Sequence, residues 1–154
     1  MEHETLIRLG VFIGLFSLFA VLEALAPRRA LATSKRQRWI TNWGIIFLDT
    51  LTLRVLSLAV PLLAVGAALD AQAMGTGLLN SFALPFWTSV IITIVVFDFA
   101  IWAQHLITHK IPILWRIHRV HHSDRDLDVT TAIRFHPVEI ALSMGIKIGL
   151  VYLL

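Results

Sequence analysis

Six of the seven histidines in this 154-residue chain fall between positions 105 and 136, and five of those form two compact groups. The first group reads HLITH at 105–109 and the second HRVHH at 118–122. On a helix, His105 and His109 stand one turn apart on one face, the spacing that lets two imidazoles reach a single metal ion. His118 and His122 repeat that spacing, and His121 lies about 60° to the other side of His118, so three rings share an arc of about 100°. Such an arc can present ligands to two ions. A lone histidine at a helix end is more often interfacial or hydrogen-bonded, but five at matched spacings would each need a separate polar partner. A shared metal supplies one partner for all of them.

The chain has no cysteine, so any metal is held by nitrogen or oxygen. All-imidazole sites suit zinc, copper, nickel or iron. A zinc hydrolase of the H-E-x-x-H type would need a glutamate beside the first histidine, and Leu106 stands there. Asp98 and Trp102 extend the His105 stripe at i−7 and i−3, adding an acid and an indole to the same face. His3 has no such company and reads as a solvated terminal residue. His136, in RFHP, is left open between a ligand, a donor behind a ligand, and the fixed end of the loop at which Pro137 starts.

The elements that position these groups are helices. In KIPILWRI, Pro112 sits where a helix begins, because its missing N–H costs little there. This predicts a tight helix–turn–helix that brings the two histidine groups together. The composition, 57% hydrophobic and 15% charged, argues for a membrane protein. The expected fold is an all-α integral membrane bundle, with one domain over 1–154 and the histidine-box region at 98–137. Spans are expected at about 6–26, 45–69 and 84–104, with a fourth starting at 138–154.

The segment PRRALATSKRQRW carries Arg28, Arg29, Lys35, Arg36 and Arg38 with no acid, whereas 70–81 has no base. The positive-inside rule then puts the first of these, and the histidine groups, on the cytoplasmic side. A cleaved signal peptide is disfavoured for the first span, because Glu2 and Glu4 precede it and Pro27 would follow the cut. Basic residues clustered beside apolar runs also argue against nucleic-acid binding, despite a net charge of +3. Asp49 and Arg54 fall inside an expected span. Such residues face a bundle interior, snorkel or bond between helices, and five residues of helix turn these two apart.

DFAIWAQHLITH and WRIHRVHHSDRDLDVTTAIRFHP closely resemble the fatty acid hydroxylase and sterol desaturase superfamily, particularly its bacterial members, over about residues 40 to 154. The resemblance implies a membrane oxygenase of the bacterial inner membrane. Its histidine boxes would hold two iron ions, with zinc as a substitute, and use O2 on a lipid C–H bond. His105, His109, His118, His121 and His122 would be the ligands. Asp98 would stand behind the first box, bonded to a histidine of another helix, because about 10 Å of helix separates it from His105. Asp124, Asp126, Asp128, Thr131 and Arg134 would brace the cluster and close its cytoplasmic side.

Lipid, O2 and a separate electron-donor protein are the expected partners. Members of the superfamily carry a further histidine box beyond a second membrane hairpin. The chain therefore reads as the N-terminal portion of an enzyme, expected to bind metal weakly and to show no turnover by itself. A non-catalytic metal-binding membrane module remains the alternative.

Overall fold

A single residue separates the two helices that carry the histidines. Ile111 ends one and begins the other, with φ −94 and ψ 118. That extended conformation is what a following proline imposes. Pro112 then occupies the first turn of the next helix, where its ring and missing N–H are tolerated. The second helix folds back on the first, as the sequence predicts.

The computed structural model describes residues 2–59, 63–82 and 84–154. In chain order its helices are α1 (Glu2–Leu25), α2 (Lys35–Ala59), α3 (Leu63–Met74), α4 (Leu78–Ser81), α5 (Phe86–Lys110), α6 (Pro112–His122) and α7 (Pro137–Leu153). A 3-10 turn at Thr131–Ile133 interrupts the segment before α7. All regular structure among the described residues is helical, and three stretches are long and apolar enough to cross a membrane: Leu6–Leu25, Lys35–Ser81 and Phe86–Lys110.

The expected second span, 45–69, differs in outline. Its helix begins at Lys35, residues 60–62 lie outside the described part, and α3 resumes at Leu63. The basic run at 35–38 is thus the first turn of α2 rather than a flanking loop. Gly75 (φ 64) and Gly77 (φ 100) make the turn from α3 to α4 in backbone regions that side chains disfavour.

Burial is inverted relative to a water-soluble protein. The only buried hydrophobic residues among those described are Ala67 and Ala71, whereas Arg38, Asn42, Asp49, Thr108, His118, Asp126, Thr130, Thr131, Arg134 and Glu139 are buried. Large apolar side chains cover the outside of α1, α2 and α5, where lipid rather than water is their solvent. In hydrocarbon, apolar side chains gain little by turning inward, so small residues and polar contacts hold helices together. α7 is the hub. It packs along α3, where Ala67 and Ala71 permit close approach, and along α2 and α5.

The α1–α2 loop and the segment after α6 share one end of the molecule. The Asp126 carboxylate accepts from the amides of Ala32 at 3.0 Å and Thr33 at 2.9 Å. Glu23, near the end of α1, accepts from the Val129 amide at 3.2 Å. Phe16 of α1 also packs on α2, its ring 5.7 Å from that of Trp43 and 6.2 Å from that of Trp39.

Candidate metal centre

Folding α6 against α5 converts two local spacings into one cluster. The ligand atoms of His105, His109, His118 and His122 all lie within 4.8 Å of one another. His105 and His109 bring their Nε2 atoms to 3.2 Å, and His118 and His122 bring theirs to 3.1 Å. Across the two helices the rings of His105 and His118 cross at 89° with centroids 4.6 Å apart. Trp115 walls one side, its ring 5.1 Å from His109 and 5.8 Å from His122.

The chemistry of this donor set fits a metal ion. Two nitrogens each about 2.0–2.1 Å from one ion stand about 2.8–3.4 Å apart at octahedral to tetrahedral angles, and both observed Nε2 pairs fall within that spacing. The tautomers agree as well. His118 is fully buried and its Nδ1 lies 2.6 Å from Glu139 Oε1, so the imidazole donates there and keeps the Nε2 lone pair for the cluster. Partial loss of solvent, and next the imidazoles of His121, His118, His109 and His105, hold His122 below its ordinary value, so at neutral pH it is an uncharged donor. Glu139 Oε2 is buried without a hydrogen-bond partner among the described residues, negative charge that a cation held by His118 would offset.

His121 stands apart from the four. Its Nδ1 donates to the main-chain oxygen of Arg134 at 3.2 Å, and its ring stacks on Phe135 at 4.6 Å and 5°. This leaves Nε2 as its acceptor. His136 serves as the N-cap of α7, its Nδ1 accepting from the Val138 amide at 3.1 Å. That contact is what the fixed end of the loop, one of the three roles left open by the sequence, would make. Asp98 is exposed on α5 and has no hydrogen bond or ion pair among the described residues, so the histidine partner expected for it from another helix is not found there.

The polar segment 124–134 grips α2 more than it touches the cluster. Arg38 Nε donates to Asp124 Oδ1 at 2.8 Å, its Nη2 lies 3.0 Å from Asp128 Oδ2, and Nη2 also donates to the Asp126 main-chain oxygen. Trp39 Nε1 donates to Asp128 at 3.1 Å, and the Thr131 hydroxyl reaches Asp124 at 3.4 Å. Burial works to raise the Asp124 carboxyl, but hydrogen bonds from Arg38 and Asn42 and the charge of Arg38 hold it below the usual carboxylate range. Asp126 is likewise held low, first by the Ala32 amide and then by the Thr33 hydroxyl.

Sequence reasoning missed Arg38, Asn42 and Glu139. A signal for the first two is the spacing of Arg38, Asn42 and Asp49, which puts one polar stripe on an otherwise apolar helix. For Glu139 the signal is an acid in the first turn of an apolar helix.

A family model described as fatty acid hydroxylase matches residues 90–154, the stretch that contains both histidine groups and α7. No curated protein matches the chain, and no solved structure does.

Proposed function

From the match of residues 90–154 to the fatty acid hydroxylase family, we propose that the protein is a membrane-bound di-iron oxygenase, a hydroxylase or desaturase acting on a lipid C–H bond with O2. The observation that carries this reading is the convergence of His105, His109, His118 and His122 from two helices, with paired Nε2 atoms facing one another. These four would hold one iron, and His121, whose Nε2 is free, would contribute to a second. Bound iron would supply O2 activation and removal of hydrogen from an unactivated carbon; zinc could take the same nitrogens without that redox chemistry.

The chain's own residues do the positioning. Glu139 fixes the His118 ring by accepting a hydrogen bond from its Nδ1–H, and the Arg134 carbonyl does the same for His121. On α5, the exposed apolar surface of Phe99, Trp102 and Leu106 runs alongside His105 and His109, a path along which a lipid chain can lie against the cluster. Lys110, Arg116, Arg119 and Arg125 stand exposed near the histidines. Their charge, together with the basic α1–α2 loop at the same end, favours a cytoplasmic position; the bacterial inner membrane and a separate electron-donor protein are carried by the family resemblance alone. A second reading, a membrane module that holds one metal ion without turnover, is favoured by the four nitrogens that gather around a single position.

Ferrous-iron titration of the detergent-purified chain, paired with mass spectrometry of oxidised membrane lipid in expressing cells, tests these readings. Two irons per chain and O2-dependent oxidised lipid support the oxygenase and overturn the expectation that this stretch alone shows no turnover; a single tightly held ion per chain supports the module. In either case His118→Ala is expected to weaken iron binding at least about tenfold while the protein still partitions into the membrane. Unchanged iron affinity in that variant would sink both.

A further inference from the structure

His121 is held by main chain that has no regular structure of its own. Arg134 is extended at φ −96 and ψ 117, between the 3-10 turn and α7. Its side chain and the amide that follows it are what fix it. Nη1 donates to Asn42 Oδ1 at 2.8 Å, and Nη2 donates to Ser123 Oγ at 2.7 Å. Asn42 is 0% exposed, and its Nδ2 donates to Thr130 Oγ1 at 2.7 Å and to Asp124 Oδ2 at 3.4 Å. The amide can sit only one way round, because a guanidinium offers donors alone and a carboxylate acceptors alone.

We infer that Asn42 is a positioning residue for His121, acting from α2 through Arg134. The side chain of Arg134 is clamped by Asn42 and Ser123, while its main-chain oxygen accepts the hydrogen bond from His121 Nδ1–H. One residue further on, the Phe135 amide donates to Asp49 Oδ2 at 3.4 Å, so α2 grips the segment on both sides of that carbonyl. Without Asn42 the buried guanidinium loses an acceptor and follows Ser123 and Asp124, and the Asp49–Phe135 contact alone is left to hold the carbonyl. The acceptor of His121 is then less firmly placed, and its tautomer and ring orientation are partly released. Asp at position 42 would set a second carboxylate against Asp124, so the amide is required rather than any acceptor.

This inference rests on the reading of His121 as a ligand, and the test separates the two. In the metal-free, histidine-15N-labelled chain, long-range nitrogen–proton correlation spectra should place the His121 proton on Nδ1. Asn42→Ala should give a mixture of tautomers. Thr41→Ala, which removes an exposed hydroxyl bonded only to Gln37 of its own helix, should change nothing. In titrations with ferrous iron alone, Asn42→Ala is expected to bind about tenfold more weakly, and the Asn42→Ala/His121→Ala pair no more weakly than His121→Ala.

A wild-type proton on Nε2, an unchanged tautomer in Asn42→Ala, or an equal loss of affinity in the His121→Ala background would overturn the inference. Should Asn42→Ala not fold, Ser123→Ala removes the other clamp from an exposed position, with the same expectations at smaller size. Iron affinity indifferent to His121→Ala would remove His121 from the ligand set, and the tautomer would still decide the role of Asn42.

Discussion

The seam between α3 and α7 is built from Ala67 and Ala71, whereas the seam between α2 and the segment before α7 is built from Arg38, Asn42, Asp124, Thr130 and Arg134. Both lie in a molecule whose outside is apolar. Small residues let two helix backbones approach without choosing one angular position sharply, because the contact is van der Waals packing with few directional terms. A buried network of charges and amides does choose, since each unpaired member is costly. The loosely specified seam holds the spans, and the sharply specified one stands beside the imidazoles, where a displacement of 1 Å matters to a metal site.

Breaking the polar seam should have the largest effect. Arg38→Met leaves Asp124 and Asp128 without their shared cation, and a loss of about 3–5 kcal/mol is expected in mixed-micelle unfolding titrations. A loss below about 1 kcal/mol, the range of an exposed pair, would mean that the network does not set this end of the fold. On the small-residue seam, Ala67→Leu overfills the α3–α7 contact and is expected to cost about 1–3 kcal/mol, with no change in iron affinity. A larger effect there than at Arg38 would reverse the comparison.

The smallest effect is acid-dependent. The Asp126 carboxyl is held below its ordinary value of 3.8 by the Ala32 amide and the Thr33 hydroxyl. Its contribution is therefore complete above that value and is lost as pH falls through the lower folded-state value. Hydrogen-exchange protection of the Ala32 and Thr33 amides, corrected for intrinsic rates, should hold from neutral pH to about pH 4 and be lost progressively as the pH falls further. In Asp126→Asn it should already be weakened at neutral pH; protection that persists to strong acid would remove Asp126 as the tie between the two loops.

Much of the site was legible along the chain because its spacings are local. His105 with His109, and His118 with His122, are one-turn pairs on single helices, and Pro112 announces the fold-back that joins them. His121 looked equivalent to its neighbours by the same rule, yet it stands outside the group of four, because a carbonyl and an aromatic ring from the following segment claim it. Asp124 and Arg134 read as a brace of the cluster, and their main partners proved to be on α2. Arg38 read as flanking charge and is instead buried, since the helix that carries it starts about ten residues before the apolar run suggests.

By itself, then, the sequence determined the helices, their apolar outer faces and the two one-turn histidine pairs, since each is written in the periodicity of neighbouring residues. Only the tertiary structure decided that Glu139 holds His118, that Arg134 holds His121, and that Arg38 and Asn42 hold the segment between. The bonds from Arg38 and Asn42 join residues 82 to 92 positions apart, and no helical or strand period records which distant polar side chain will meet another once lipid denies both of them water.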